Sequence, residues 1–399
     1  MTAIHHPPTA VTVETGEDIP VPLGYLTHVA NVGIKDDTTD FSVLASEAPC
    51  GSAAVFTKSR FAGPSVVVSR RHLAEGRPRA VVTVSKNANV ATGDEGLRNA
   101  VALAAGVGAA LECPTEDVFV ASTGVIGRPY PMDKLTAHLD VAVAFEPADL
   151  AAVARAIMTT DTVPKLAAAR VGDAVVAGIA KGVGMIEPDM ATMLAYVVTD
   201  AEVPDDVLRA TFGRVVDRTF NCLSVDTDTS TSDTALVLAN GAAGPVDEDE
   251  FEAALFGVCE SLVRQLASDG EGATKLLTVT VTGARDEGQA RRVAKAVVNS
   301  PLVKTAVHGA DPNWGRVVMA VGKCSDDTDI RPQEVRVSFG PIDAYPAPAD
   351  DAVLEKLTEV LRADEVEITV GLATGEASAR VWGCDLSDGY VRINADYTT

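Results

Sequence analysis

Thr192 stands at a position in the sequence where a hydroxyl group could act as a nucleophile. It follows two glycines and Pro188 within residues 181–195, and it precedes an apolar run of strand length at residues 193–198. Glycine admits backbone conformations that other residues resist, and proline fixes one φ angle, so we expect an irregular turn that leads into a buried strand. A hydroxyl at this junction would be held in one direction.

A threonine hydroxyl is a weak nucleophile unless a base removes its proton, and no histidine is close to Thr192 in the sequence. Cleavage of the peptide bond between Ala191 and Thr192 would supply the base, because a free α-amine has an unperturbed pKa of roughly 7.7–8.0. The small side chain of Ala191 suits this position, where the hydroxyl must reach the carbonyl carbon. The residue types alone favour a plainer alternative, in which Thr192 is a structural threonine at the edge of a strand.

The net charge and the absent motifs exclude several other functions. A net charge of -23 argues against binding to nucleic acid or to an anionic membrane surface. The sequence has no HExxH motif, no Cys and His at zinc spacing, no phosphate-binding loop and no GxSxG elbow. Residues 225–233 begin like a calcium loop, but Thr231 and Val237 replace its glycine and glutamate. We therefore expect neither a metal nor a cofactor, and residues 225–233 form either a polar loop capped by its own hydroxyls or a loop that lines a site.

The cysteines and the N-terminus indicate where the protein works. Six cysteines are dispersed without a CxxC pair, which is typical of reduced thiols in a cytosolic protein. The first 18 residues contain no apolar run, and no stretch of the sequence approaches the roughly 18 apolar residues that span a bilayer. These features predict a soluble, cytoplasmic protein.

Helix and strand patterns alternate along the chain. Apolar residues recur at spacings of three and four over residues 251–266, and they alternate with polar residues over 277–281 and 366–370. The patterns predict a mixed α/β protein, a layered sandwich with helices outside the sheets. We place a domain boundary near Gly283, and we expect the proline-rich, acidic stretch at residues 340–351 to be a loop.

Blocks of residues in the last two thirds of the chain form a specific signature. They run in order to the C-terminus and comprise residues 121–127, 158–162, 181–195, 269–275, 311–316 and 394–399. Together they resemble the ornithine acetyltransferase family, also called glutamate N-acetyltransferase. The resemblance implies an αββα layered sandwich at residues 1–283 and a smaller C-terminal α/β domain at residues 284–399 that contributes its tail to the site. The acidic residues within 186–189 and the C-terminal ending are similar to the form found beside clavam (β-lactam) biosynthesis genes.

The resemblance assigns roles to individual residues of this sequence. Thr192 would be the nucleophile, and Thr123 and Gly124 would form the oxyanion hole. The residues that would bind the substrate with Thr192 are Thr159, Lys181, Glu271, Asn394 and Thr399. Lys181 suits a carboxylate and Glu271 suits an ammonium group. Without the resemblance, both charges would be assigned to the solvated surface, Thr123 to a turn and the last six residues to a frayed tail.

The resemblance also implies a reaction. The chain would cut itself between Ala191 and Thr192 into an α fragment, residues 1–191, and a β fragment, residues 192–399, which assemble as α2β2 or a larger oligomer. N2-acetylornithine would acetylate Thr192, and glutamate would then take the acetyl group, giving N-acetylglutamate in arginine biosynthesis or a clavam-type pathway. The alternatives are a self-processing aminopeptidase or amidase of the same fold, in which water replaces glutamate, and an uncleaved binding protein.

Overall fold

The computed structural model describes residues 11–35, 37–141, 143–187, 193–346 and 350–396. The predicted cleavage residues Ala191 and Thr192, and the predicted substrate-binding residue Thr399, lie outside the described residues. The strands of the described part are β1 Val13–Thr15, β2 Tyr25–Ala30, β3 Phe41–Ser46, β4 Gly51–Phe56, β5 Ala80–Val84, β6 Val118–Ser122, β7 Glu146–Pro147, β8 Lys165–Val171, β9 Ala174–Lys181, β10 Leu194–Glu202, β11 Thr234–Pro245, β12 Leu276–Ala284, β13 Arg336–Phe339, β14 Ile342–Tyr345, β15 Glu365–Gly371 and β16 Ala377–Cys384. The helices are α1 Pro64–Glu75, α2 Gly93–Ala110, α3 Met132–Asp140, α4 Leu150–Ala156, α5 Asp205–Arg218, α6 Glu248–Ser268, α7 Glu287–Val298, α8 Pro301–His308, α9 Trp314–Gly322, α10 Asp351–Leu361 and α11 Asp388–Asp396.

Two sheets lie face to face and form the larger part of the molecule. A six-stranded sheet has the order β1-β8-β9-β10-β11-β4, and a five-stranded sheet has the order β6-β5-β3-β2-β7. Apolar side chains from both sheets meet in one core cluster, which includes Leu44, Val81, Phe119, Ile179, Tyr196 and Leu236. Helices α1 and α2 contact β6 of the five-stranded sheet, while α5 contacts β4 and α6 contacts β8 and β9 of the six-stranded sheet. The layers are therefore helix, sheet, sheet and helix, and the predicted αββα sandwich is confirmed.

The central strand β10 shows why its sequence is an unbroken apolar run. Leu194 and Tyr196 point into the core between the sheets, whereas Ala195 and Val197 point toward the helices on the other face. Successive side chains of a strand alternate between its two faces, so a strand covered on both sides must be apolar at every position. The strand predicted after Thr192 is confirmed as β10.

A third sheet with the order β14-β13-β15-β12-β16 forms the C-terminal part of the fold. Helix α7 packs on β12 and β16, and α6 contacts these two strands as well as the sandwich. The helix predicted at residues 251–266 lies within α6, and the strands predicted at 277–281 and 366–370 lie within β12 and β15. The predicted boundary near Gly283 falls close to the end of β12 and stays a prediction.

The prediction of a continuous loop at residues 340–351 is wrong. Strand β14 lies within this stretch and pairs with β13 in antiparallel register. It has four residues at the edge of the sheet, and only Ala344 among them is buried. Such a short strand shows too little alternation to be detected from sequence.

None of the helices in the described ranges is long and apolar enough to cross a bilayer.

Candidate active site

Three neighbouring strands bring the chain to the candidate site. Strand β9 ends at Lys181, which is the register partner of Leu194, the first residue of β10. Strand β10 runs parallel to β11, with Leu194 opposite Thr234, and the Thr234 N–H donates to the Met193 carbonyl at 3.1 Å. The chain therefore enters β10 between the end of β9 and the residue before β11, Asp233.

Lys181 contacts two other predicted site residues, Thr123 and Thr159. Its Nζ donates to the Thr159 hydroxyl at 2.8 Å and to the Thr123 hydroxyl at 3.2 Å. Thr123 follows β6 and Thr159 lies beyond α4, so the three side chains come from separate elements. Lys181 is only 8% exposed. It is thus a buried cation beside two hydroxyl groups rather than a solvated surface charge.

The two residues predicted for the oxyanion hole lie in the turn after β6. The backbone N–H of Thr123 already donates to the Val84 carbonyl at 3.1 Å. The donors that this turn can offer to a developing oxyanion are therefore the Thr123 hydroxyl and the Gly124 N–H. Gly124 has a φ of +123°, and a Cβ there would collide with the backbone of Lys86. Both constraints require glycine at this position.

Glu271 forms the other side of the candidate site. Its carboxylate accepts a hydrogen bond from Asn394 Nδ2 at 2.8 Å and another from the Thr160 hydroxyl at 3.2 Å. Asn394 lies on the C-terminal helix α11, and the backbone N–H of Glu271 donates to the Val183 carbonyl at 2.7 Å. The fold thus joins Glu271 to the segment after β9 and to a residue close to the C-terminus.

The two glycines after Lys181 serve different purposes. Gly182 has a φ of +145°, which side chains disfavour, whereas Gly184 is not in the left-handed region. A Cβ at Gly184 would lie 2.5 Å from Oε2 of Glu271. Gly184 is therefore required because the Glu271 carboxylate lies against its backbone.

A buried ion cluster under the site was not predicted from the sequence. The Lys165 Nζ lies 2.8 Å from Oδ1 of Asp161 and 2.6 Å from Oδ2 of Asp269. Asp161 also accepts the backbone N–H of Gly182 at 2.6 Å and that of Thr159 at 3.1 Å. The cluster therefore fixes the backbone at two places next to Lys181. Both aspartates belong to the signature blocks, which is the one signal that could have marked them.

Burial and charge compete in setting the pKa of the groups in this cluster. Burial alone would raise the pKa of Asp161, but the cations of Lys181 and Lys165 outweigh it and lower the pKa to about 2. Burial lowers the pKa of Lys181, and the carboxylate of Asp161, 3.8 Å from its Nζ, opposes that shift. Asp161 is therefore ionised at neutral pH and favours the charged form of Lys181.

The polar loop at residues 225–233 lines the segment that precedes the predicted cleavage position. The Asp226 carboxylate accepts the N–H groups of Met185 at 2.6 Å and Ile186 at 2.7 Å, and the Glu187 N–H donates to the Asp228 carbonyl at 2.9 Å. The loop also caps its own backbone, because the Ser232 N–H donates to Ser230 Oγ at 3.1 Å, so both interpretations of the loop stay open. In the described part of the chain, no three His, Cys, Asp or Glu residues are grouped as a metal ion requires.

Glu187, in the acidic stretch before the predicted cleavage position, is anchored to the C-terminal part of the fold. The carboxylate of Glu187 accepts a hydrogen bond from Asn299 Nδ2 at 2.7 Å, and it lies 3.5 Å from the Nζ of Lys295 on α7. This connection holds the last described residue before the predicted cleavage position. The unusual acidity of the stretch therefore has a structural use at Glu187.

The arrangement offers chemistry that suits an amino-acid ligand. Lys181 supplies a buried cation for a carboxylate, and Glu271 supplies a carboxylate for an ammonium group. The Thr123 hydroxyl and the Gly124 N–H supply hydrogen-bond donors beside the start of β10. These groups have the chemistry that a charged small molecule and an oxyanion beside the start of β10 would require.

Comparison with known proteins shows the family to which the chain belongs. The chain matches the ArgJ family over residues 26–399. The arginine biosynthesis bifunctional protein ArgJ of Rhodococcoides fascians is 55% identical over 381 residues, which are 95% of this chain and 94% of that protein. Glutamate N-acetyltransferase Oat2 of Streptomyces clavuligerus is 55% identical over 390 residues, 95% of this chain and 98% of that protein. A second ArgJ protein of a Nostoc species is 52% identical over 379 residues, 95% of this chain and 98% of that protein. The chain belongs to the ArgJ family.

Proposed function

We propose that this protein transfers the acetyl group of N2-acetylornithine to glutamate through an acetyl-Thr192 intermediate. The products are ornithine and N-acetylglutamate. The observation that carries the proposal is the hydrogen-bonded group of Lys181, Thr123 and Thr159 at the start of β10. The names of two relatives, both 55% identical, support the same chemistry. The pathway is arginine biosynthesis or a related secondary pathway.

The mechanism begins with cleavage between Ala191 and Thr192, which exposes the α-amine of Thr192. This amine takes the proton of the Thr192 hydroxyl, and Oγ attacks the acetyl carbonyl of N2-acetylornithine. The Thr123 hydroxyl and the Gly124 N–H stabilise the oxyanion, and ornithine leaves with the proton. The amine of glutamate then attacks the acetyl-enzyme through the same oxyanion hole, and Oγ of Thr192 recovers its proton.

Both substrates carry an α-carboxylate, which Lys181 binds. Glu271 binds the side-chain ammonium group of ornithine, and Asn394 orients Glu271 through its hydrogen bond. Thr159 and Thr399 complete the substrate-binding set. Binding both substrates in one place is what a two-step exchange requires, because the second substrate must attack where the first one left.

The two fragments stay together after cleavage. The six-stranded sheet takes β1, β4, β8 and β9 from residues 1–191 and β10 and β11 from residues 192–399. Its central pair of strands therefore holds the fragments together through main-chain hydrogen bonds and a shared core. We propose an α2β2 or larger oligomer of such pairs. All six cysteines are free, which fits work in the cytoplasm.

A transfer assay with labelled acetyl groups tests the function. Purified enzyme is expected to move the label from N2-acetylornithine to glutamate, with little release of acetate when glutamate is left out. Acetate release that does not depend on glutamate would instead support the amidase alternative. A single full-length band on a denaturing gel, without transfer, would support the binding protein. A parallel reaction with acetyl-CoA and glutamate measures whether that donor is used.

Gly184→Ala is expected to raise the KM for N2-acetylornithine about tenfold, about 1.4 kcal/mol, with a smaller change in kcat. The added Cβ would displace the Glu271 carboxylate, which is proposed to bind the ammonium group. Steady-state kinetics measure the effect, after a gel confirms that cleavage is complete. Gly213→Ala is the matched control, because a Cβ there meets nothing within 4 Å. An unchanged KM in Gly184→Ala would remove Glu271 from the binding set.

A further inference from the structure

A buried carboxyl group beside the start of β10 has no role in the mechanism above. Asp233 is 4% exposed, and its Oδ2 has no hydrogen-bond partner among the described residues. It directly precedes β11, and its backbone carbonyl accepts the Thr57 N–H at 3.1 Å. A buried polar atom without a partner is uncommon in folded proteins, and it points to a group that is used rather than one that is structural.

The position of Asp233 follows from the pairing of β10 with β11. Leu194 lies opposite Thr234 in this parallel pair, so Met193 lies beside Asp233. The Met193 carbonyl accepts the N–H of Thr234, the residue after Asp233, at 3.1 Å, so the two backbones run side by side at this point. Met193 is bonded to Thr192, and consecutive residues are only about 3.8 Å apart. Asp233 therefore lies beside Met193, the second residue after the peptide bond that the proposed function breaks.

The surroundings of Asp233 favour the protonated form of its carboxyl. Burial raises the pKa of this carboxyl well above its ordinary value. The Met193 N–H, the Thr57 side chain and the cation of Lys181 act in the opposite direction, but they do not outweigh burial. A carboxyl whose neutral form is favoured can act as a proton donor.

We propose that Asp233 is the acid that protonates the nitrogen of Thr192 when the bond between Ala191 and Thr192 breaks. This inference rests on the proposed self-cleavage and adds a catalytic residue to it. An amide nitrogen is a poor leaving group unless it gains a proton, and a positioned acid lowers that barrier.

The step balances without any further reactant. Oγ of Thr192 bonds to the carbonyl carbon of Ala191, the C–N bond breaks, and an ester replaces the amide. Asp233 gives its proton to the nitrogen, and the proton of the Thr192 hydroxyl returns to the Asp233 carboxylate. One water molecule then hydrolyses the ester, which restores the hydroxyl of Thr192 and leaves a carboxylate on Ala191, and the released proton goes to the free α-amine of Thr192. The Asp233 carboxyl is therefore protonated again at the end of the reaction.

The test follows cleavage of the full chain made by cell-free synthesis. Asp233→Asn keeps the shape and a hydrogen-bond donor but cannot transfer the proton, and cleavage is expected to be at least about 100-fold slower on a denaturing gel. Asp40→Asn is the matched control, because Asp40 is also buried and its carboxyl accepts the N–H groups of Val32 and Ile34. Asp40→Asn is expected to cleave at the normal rate.

Hydroxylamine separates the proposed step from the one after it, because it cleaves esters but not amides. Asp233→Asn is expected to stay intact in hydroxylamine, since the ester does not form without the acid. Prompt cleavage by hydroxylamine would place the block at ester hydrolysis and overturn the proposal, as would cleavage of Asp233→Asn at the normal rate. The melting temperature of Asp233→Asn should match that of uncleaved Thr192→Ala.

The pH dependence of cleavage in the natural chain gives a measurement that needs no variant. The neutral acid exists below the pKa of Asp233, so the cleavage rate is expected to fall as the pH rises through that pKa. The groups that face the carboxyl are Lys181 from β9, Thr57 beyond β4 and the backbone of Met193. A rate that rises continuously toward alkaline pH would overturn the proposal. If Thr192→Ala also splits, the proposed function fails as well; if only Asp233→Asn splits normally, this inference alone fails.

Discussion

Thr192→Ala is expected to remain a single chain of 41.4 kDa and to lose acetyl transfer by at least about 10³-fold. The variant lacks the hydroxyl that attacks the Ala191 carbonyl, so the peptide bond is not broken. It also lacks both groups of the proposed catalytic pair, because the nucleophile is absent and the α-amine stays in an amide. A single substitution therefore removes processing and catalysis together.

Intact-mass measurement and the transfer assay check this expectation. The natural chain should give two fragments, each about half of the full mass, whereas Thr192→Ala should give one species. Thr192→Ser is the conservative control, because it keeps a hydroxyl and a future α-amine, and it should cleave and retain measurable activity. Splitting of Thr192→Ala between residues 191 and 192 would contradict the mechanism.

Lys165→Met is expected to lower the free energy of unfolding by about 3–5 kcal/mol. Lys165 is fully buried and is the ion-pair partner of both Asp161 and Asp269. Its removal leaves two carboxylates in the interior without that cation. An uncompensated buried charge lowers the free energy of unfolding more than the loss of a surface ion pair does. The variant should also lose activity, because Asp161 holds the backbone next to Lys181.

Denaturant unfolding in the Thr192→Ala background measures the change on one unbroken chain. Arg264→Met is the matched control, since Arg264 forms a bidentate pair with Glu365 in which both side chains are exposed. Loss of that surface pair should cost no more than about 1 kcal/mol. Equal destabilisation by the two variants would mean that the Lys165 cluster contributes no more than an ordinary surface pair.

The destabilisation caused by Lys165→Met is expected to become smaller at acidic pH. Asp161 has a pKa lowered from 3.8 to about 2 in the folded protein, so its pairing stabilises the fold above its ordinary pKa. That stabilisation is lost as the pH falls from about 4 toward 2. The difference in unfolding free energy between the parent chain and Lys165→Met should therefore shrink in this acidic range. A difference that grows on acidification would contradict the charge state assigned to Asp161.

The sequence by itself determined the elements and the type of chemistry. The apolar run after Thr192 became β10, and the stripe at residues 251–266 became α6, because strand and helix periodicity record which faces are buried. The signature blocks identified the family and most residues of the candidate site. Periodicity did not detect β14, because a four-residue edge strand with one buried residue has almost no pattern.

Only the tertiary structure decided how distant residues meet. Lys181 reaches Thr123 across 58 positions, Lys165 reaches Asp269 across 104, and Asn394 reaches Glu271 across 123. Such contacts depend on which strands pair and in which register, and local periodicity does not record either choice. The parallel pairing of β10 with β11 places Asp233 beside Met193, although 40 residues separate them in the chain. The physical reason is that burial raises the pKa of the Asp233 carboxyl and strand pairing brings Met193 beside it. Both exist only once the sheets have formed.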